Sequence, residues 1–462
     1  MTHLFEPTWE SLRGYRVPAW FEDAKFGIFI HWGVYAVPAF ANEWYSRNMY
    51  QPDSPEFLHH RATYGPQTEF GYKDFIPGLT GARFDPDAWV GLCLEAGARY
   101  LIPVAEHHDG FAMYASGLTE WNAGRVGPRR DVLGELAGAA RRRGLIFGLS
   151  NHRAENWWFF NGGRLFPSDV QDPRYTGLYG PAMPENTPPD DAFLHAWRDR
   201  LYEQVERYRP EIVYFDTGLK ESAFAPLLRQ FAADFYNRGE AGRGAVITYK
   251  HDAFPEGAAV LDVERGRLGA TRALAWQTDT AIARNSWCHV AAPDYKSAGE
   301  LVRDLADVVS KNGSLLLNIG PRADGSIPEA EQAILREIGA WLAHSGAAIY
   351  GTRPWRVSGE GPTQAAAGAF TDGAPPAFTG ADIRFTSRPG AIYAICLGRP
   401  APNLTIRALA DDTHERIAAV RLLDGDIPLD WWRHAGGLTI QLPPALPEAH
   451  AYAIKIVLAE VG

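Results

Sequence analysis

Through roughly the first 350 residues, apolar positions fall into short continuous runs, each followed by a polar loop and several by a stretch with helical spacing. Such runs predict strands at Lys25–His31, Arg99–Glu106, Leu145–Ser150, Glu211–Asp216, Ala245–Lys250, Val260–Glu264 and Ser314–Ile319, with a weaker one near Trp276–Thr278. A strand buried on both faces reads as a near-continuous apolar run, which marks these as members of a parallel sheet. Helical patterns cover Asp87–Ala98, Asp131–Arg143, Phe193–Tyr208, Phe224–Phe235 and Ala298–Asn312. About eight strands alternating with helices imply an α/β fold closed as a (β/α)8-like TIM barrel. Asn151 to Asp191 carries Pro, Gly and aromatics without periodicity and reads as a long loop over the barrel mouth.

Beyond the last run, Pro328–Gly346 reads as a helix opened by Pro and closed by Gly, and Gly359–Gly380 as a Gly, Ala and Pro-rich connector. From Ala381 the texture changes to short alternating runs, Asp382–Thr386, Ala391–Leu397, Thr405–Leu409, Leu438–Leu442 and Ala451–Leu458. Alternation broken by turn residues is the pattern of an antiparallel β-sandwich. The expected organisation is a catalytic barrel over residues 1–354 and a C-terminal β-sandwich domain over 355–462.

A formal charge of −10 over 462 residues argues against nucleic acid or an anionic membrane surface as a partner, since both demand basic patches. The longest basic run, Arg141-Arg142-Arg143, falls where a helix is expected to end and cations suit its dipole. Three widely spaced cysteines form neither a disulfide framework nor a zinc motif. No signal-peptide pattern and no apolar span of about 18 residues is present, so the expected location is cytoplasmic.

Candidate chemistry gathers at the ends of the predicted strands, the rim where barrel enzymes place their active sites. Phe26–Ile30 ends in His31-Trp32-Gly33, and Glu43-Trp44-Tyr45 follows in the next loop. The second strand closes in Glu106-His107-His108-Asp109-Gly110; adjacent histidines on a strand point to opposite faces, a poor metal pair but suitable as neutral donors to sugar hydroxyls. Asp216 ends the fourth strand as a candidate nucleophile on a rigid element, although such an Asp can also cap a turn. The sixth strand ends in Asp262, Glu264 and Arg265, where Glu264 and Arg265 could form a structural ion pair. Two carboxyl groups across a pocket are what glycoside hydrolysis needs, one to attack the anomeric carbon and one to protonate the leaving group. Aromatics make up 12% of the chain and several stand beside these polar motifs, as sugar-binding surfaces require.

With these motifs in order, the chain resembles the α-L-fucosidases of glycoside hydrolase family 29. The resemblance runs through His31-Trp32-Gly33, Glu43-Trp44-Tyr45, Glu106 to Phe111, Tyr214-Phe215-Asp216, Trp276 to Thr280, Ser286-Trp287 and Asp307–Asp324, with Ile349–Thr352 and Asp382–Thr386 extending it. It implies an exo-acting retaining hydrolase with a barrel and a C-terminal sandwich, acting on a fucosylated oligosaccharide or glycoconjugate without cofactor or metal. Asp216 matches the nucleophile; His31, Glu43, Trp44, His107 and His108 match positions lining the fucose pocket, and Trp287 is a further candidate for covering the sugar. Glu264 is the choice for acid/base and Glu43 the reserve. Many members have Trp-Glu where this chain has Trp276-Gln277, and Ser-Trp-Gly-Tyr where it has Ser286-Trp287-Cys288-His289, a change expected to alter the rim beyond the sugar.

Other classes fit parts of the pattern. A barrel glycosidase for a related sugar such as galactose would share the carboxylate pair, a non-catalytic sugar-binding protein would share the aromatic and imidazole pocket, and a metal-dependent hydrolase would use the histidines and aspartates.

Overall fold

A computed structural model describes residues 4–220, 222–239, 242–373 and 376–459. Eight parallel strands, β1 (Phe26–Ile30), β2 (Tyr100–Glu106), β3 (Ile146–Asn151), β4 (Ile212–Phe215), β5 (Val246–Tyr249), β6 (Val260–Asp262), β7 (Trp276–Ala281) and β8 (Gly313–Ile319), pair in sequence order. Pairing of β8 with β1, Leu315 opposite Phe26 through Ile319 opposite Ile30, closes the barrel. The interior is filled by Phe29, Tyr100, Ile102, Val104, Ile212, Tyr214, Val246, Val260 and Leu316, with Phe21 packed against them. Gly27 is required by this packing, because a Cβ there would stand 2.2 Å from the Tyr100 ring.

Two barrel strands differ from the expected boundaries by more than one residue at an end. β6 stops at Asp262, so Glu264 stands on the first residues of the loop beyond it, and β7 runs six buried residues although four of them are polar. Burial of those four costs nothing in unmet hydrogen bonds for Gln277 and Thr278: Gln277 Nε2 donates to Asp262 Oδ2 at 2.7 Å, and the Thr278 hydroxyl to the Val263 carbonyl at 2.7 Å.

The helices outside the barrel begin where local chemistry starts them. Ser297 and Glu300 form a reciprocal capping box on the helix Ala298–Ser310, and Asp190 accepts from Phe193 N at 2.8 Å to open Asp191–Tyr208. Arg141 and Arg142 lie in the last turn of Val132–Arg142. The segment expected as one long loop, 151–191, is built from short helical turns at 153–157, 161–164, 169–171, 173–175 and 176–179. Buried Arg153 of this segment and Arg200 of the helix Asp191–Tyr208 both grip the buried Glu106 carboxylate, at 2.6 and 2.5 Å, and tie the segment and the helix to the end of β2.

The C-terminal sandwich has a six-stranded antiparallel sheet ordered β14-β13-β17-β11-β10-β9 and a three-stranded one ordered β12-β16-β15. These are β9 (Arg353–Glu360), β10 (Ile383–Arg388), β11 (Ala391–Cys396), β12 (Asn403–Ile406), β13 (Ile417–Leu422), β14 (Ile427–Pro428), β15 (Asp430–His434), β16 (Gly437–Gln441) and β17 (Tyr452–Leu458). Phe385, Ile392, Ile406, Leu422, Leu438, Ile440 and Ile454 fill the space between the sheets. Four strands, β9 and β13 to β15, carry no clear alternation and were not expected. The sandwich is fastened to the barrel's helices by Arg384 Nε donating to Asp307 at 2.5 Å and by Trp341 Nε1 donating to the Ala451 carbonyl at 2.8 Å.

The connector after β9 does not run free. It returns to the barrel mouth, where Arg267 and Gly368 exchange backbone hydrogen bonds of 3.1 and 2.8 Å, Phe370 N donates to the Glu264 carbonyl at 2.9 Å, and Thr371 N donates to that of Arg265 at 2.8 Å. Asp372 anchors this return in a buried cluster, with Lys296 Nζ at 2.5 Å and Arg265 Nη1 at 3.3 Å. All three cysteines are free and buried. Among the described residues no helix is long and apolar enough to cross a membrane.

Candidate active site

The strand ends converge on a cavity of about 290 Å³ at the C-terminal end of the barrel. His31 follows β1, His107 and His108 follow β2, His152 follows β3, Asp216 follows β4, Lys250 follows β5 and Glu264 lies two residues past β6. The structure brings together all eight residues singled out in the sequence, His31, Glu43, Trp44, His107, His108, Asp216, Glu264 and Trp287, around this one space. Parallel strands of one hand leave every C-terminal end at the same rim, so residues far apart in sequence become neighbours.

Asp216 is almost wholly buried, yet its carboxylate is surrounded by donors. His152 Nδ1 approaches Oδ2 at 2.8 Å, His108 Nε2 approaches the same oxygen at 3.2 Å, and Lys250 Nζ lies 3.0 Å from Oδ1. Burial disfavours the charge, but the Lys250 ammonium and the two imidazoles outweigh it and hold Asp216 well below the usual carboxylate range. His108 is also buried, and the neighbouring Glu155 and Asp216 carboxylates raise it to about 9. It therefore carries both protons, with Nδ1 donating to the His152 carbonyl at 2.8 Å. Burial lowers His152, whose neutral ring donates from Nδ1 to Asp216 and contacts the Ser150 hydroxyl at 2.9 Å through Nε2.

Glu264 faces the opposite electrostatic balance. Burial pushes it up, Lys250 at 2.8 Å pulls it down, and Asp279 and Asp216 push it up again, leaving it at about 7. One ammonium thus touches three carboxylates, since Asp279 Oδ2 lies 3.2 Å from Lys250 Nζ. That shared lysine also limits geometry. With Asp216 Oδ1 at 3.0 Å and Glu264 Oε2 at 2.8 Å from it, these two oxygens are no more than about 6 Å apart. Glu264 pairs with Lys250, and the alternative ion pair with Arg265 does not form. Arg265 instead pairs with Asp372 and covers the Trp287 ring at 4.5 Å, because its backbone has turned into the left-handed region at φ 45°.

Glu43, buried, accepts from Trp287 N at 2.9 Å and sits 3.5 Å from the Ser286 hydroxyl. His31 Nδ1 bonds Asn318 Oδ1 at 2.6 Å, and burial holds His31 and His107 neutral, well below the ordinary imidazole value. His107 and His108 do not point to opposite faces. β2 ends at Glu106 and the chain turns, with Gly110 at φ 77°, so both rings enter the cavity with centroids 4.5 Å apart. His31, His107 and His152 offer nitrogens within 4.8 Å of one another, as do His108, His152 and Asp216 through their ligand atoms. The first set could receive a metal ion, and neutral imidazoles at that spacing equally suit the hydroxyl groups of a sugar; in the second, the doubly protonated His108 offers no free nitrogen.

Among the lining residues not singled out in the sequence are Lys250, His152 and Asp279. Asp279 stands inside the Trp276 to Thr280 motif, His152 lies just past the strand expected at Leu145–Ser150, and the signal for Lys250 is a lone cation ending an apolar strand. Gln277, by contrast, lies inside the barrel between Tyr100 and Asp262 and does not line the cavity. The Cys288-His289 departure is not at the rim of the cavity either, since Cys288 is buried behind its wall against Ser286 and Tyr35.

A (β/α)8 barrel with two carboxylates beside a small pocket of imidazoles and indoles defines a glycoside hydrolase. Residues 1–347 match the family model for α-L-fucosidase and 378–457 that for the α-L-fucosidase C-terminal domain. The plasma α-L-fucosidase of Homo sapiens is 32% identical over 95% of this chain and 88% of its own length, and the human tissue enzyme 31% identical over 98% and 91%. Thermotoga maritima α-fucosidase in complex with fucose superimposes with a TM-score of 0.77 at 28% identity, covering 98% of this chain and all of the other. The same enzyme with a mechanism-based inhibitor gives 0.78 at 29%, over the same 98% and 100%. The chain belongs to the α-L-fucosidase family, glycoside hydrolase family 29.

Proposed function

We propose that this α-L-fucosidase acts on terminal α-L-fucosyl units by double displacement, with Asp216 as nucleophile and Glu264 as acid/base. In the first step an Asp216 oxygen bonds to C1, the bond from C1 to the aglycone oxygen breaks, and the Glu264 proton passes to that oxygen. In the second, Glu264, now a carboxylate, takes a proton from water, whose oxygen bonds to C1 as the ester to Asp216 breaks. Two inversions leave the anomeric configuration unchanged.

The observation that carries this reading is the opposite placement of the two carboxyl groups on one lysine. Asp216 stays ionised among three donors while Glu264, at about 7, can hold a proton near neutrality. The two oxygens that share Lys250 lie no more than about 6 Å apart, which is compatible with the close carboxyl pair, about 5–5.5 Å, of retaining enzymes. Glu43 is held by burial above its ordinary value, but it already accepts from Trp287 N, which suits a residue reading hydroxyls better than one releasing a proton. A cavity of about 290 Å³ suits one monosaccharide, hence exo action. His31, His107 and His108 would read hydroxyls, and Trp44 and Trp287 would cover the apolar parts of the ring. Mechanism-based inhibition of the Thermotoga relative supports a covalent route here.

The test is hydrolysis of p-nitrophenyl α-L-fucoside followed by NMR. α-Fucose should appear first, and Asp216→Gly should lose most turnover and regain part of it with azide. Initial release of β-fucose, or a folded Asp216→Gly enzyme that keeps its rate, would overturn the assignment.

A further inference from the structure

The loop that joins β9 to β10 of the sandwich brings an exposed aromatic ring to the cavity. Phe370 is 64% exposed and lines its rim, although the connector comes from the sequence after β9. Its backbone sits at φ 55°, a left-handed conformation that a bulky non-glycine residue adopts only when its surroundings enforce it. The enforcement is visible on both sides. Phe370 N donates to the Glu264 carbonyl, Arg267 and Gly368 exchange backbone bonds two residues earlier, and Asp372 is clamped by Lys296, Arg265 and the Thr280 hydroxyl at 2.5, 3.3 and 2.5 Å. An apolar ring left in water on a strained and firmly held backbone has no packing role that explains it.

Position supplies one. A departing aglycone oxygen must lie within hydrogen-bond reach of the Glu264 carboxyl, so the first unit beyond the scissile bond leaves the cavity alongside Glu264. Phe370 is bonded to the backbone of that same residue. We propose that Phe370 is the platform for the leaving-group sugar, stacking on its apolar C–H face and setting preference for saccharide over small leaving groups. This rests on the assignment of Glu264 as the acid. Trp44, Thr217 and His251 line both this cavity and a second cleft of about 600 Å³ that includes Trp158 and Glu185, the competing route for an aglycone.

The test compares α-L-fucosyl fluoride, which has no aglycone to stack, with an α-L-fucosyl disaccharide. Phe370→Ala should lower the disaccharide-to-fluoride ratio of kcat/KM about tenfold, and Phe370→Trp should restore it. An unchanged ratio in Phe370→Ala overturns the proposal, as does a tenfold fall in that ratio produced by Trp158→Ala alone. Equal loss on both substrates assigns Phe370 a structural role and also overturns it. Wild type inactive on both substrates would instead remove the hydrolase assignment beneath it, an outcome separable from all the others.

Discussion

Lys250 holds both proposed catalytic carboxyl groups below the values that burial alone would give them, so replacing it with methionine should move the pH profile upward. Deprotonation of Glu264 sets the basic limb of kcat/KM, because the acid form is required, and protonation of Asp216 sets the acid limb. In the native site burial raises Glu264, and Lys250 at 2.8 Å restrains it to about 7. A unit charge pair at that distance is worth about 6 kcal/mol at an effective dielectric constant of about 20. If only a quarter of this survives solvent entry and redistribution among the neighbouring carboxylates, Glu264 rises by about one pKa unit. Asp216 rises as well, since Lys250 is the strongest influence holding it down against burial. Both limbs therefore shift to higher pH while the maximum rate falls. The assay is kcat/KM for an aryl α-L-fucoside from about pH 4 to 10, where ordinary carboxyl and raised values would fall. Thermal melting identifies folded protein, because uncompensated buried carboxylates cost about 3–5 kcal/mol. Lys250→Arg, which keeps the charge, should return the basic limb toward its native position. A folded Lys250→Met enzyme with its basic limb still near pH 7 would refute the reasoning.

Glu264→Gln should slow disaccharide cleavage by about 10² to 10⁴ and erase the basic limb, while sparing aryl fucosides whose leaving groups need no proton; equal loss on both substrates would move the acid role to Glu43. Glu106→Gln weakens the only carboxylate that both Arg153 and Arg200 contact in the described structure and should cost about 3–5 kcal/mol in urea unfolding, whereas a loss below about 1 kcal/mol would contradict a buried, shared ion pair. Exhaustive chelation should leave kcat/KM unchanged if His31, His107 and His152 serve hydroxyl groups, and activity lost to a chelator and restored by zinc would assign those imidazoles to an ion.

The apolar runs determined the barrel, because a parallel strand covered on both faces needs a continuous apolar stretch that few other elements share. They also marked Asp216, His31 and His107-His108, since polar residues that interrupt such runs fall at strand ends. β7 was the weakest of these readings for the same reason inverted: Gln277, Thr278 and Asp279 are polar but buried, and their partners are Asp262 and Val263 at the end of β6 and Tyr214 of β4 across the barrel interior. In the sandwich, β13 and β15 escaped detection because neither has a clean buried face, as in Asp430-Trp431-Trp432-Arg433-His434. Which groups the carboxylates would meet was decided only in three dimensions. Lys250 meets Asp216, Glu264 and Asp279 from β4, the end of β6 and β7, and a pKa responds to charges a few ångströms away whatever their separation in sequence. The return of the connector to Glu264 has the same origin. A Gly and Pro-rich segment carries no pattern of its own, and backbone bonds to Glu264, Arg265 and Arg267, with the burial of Asp372, fix its course.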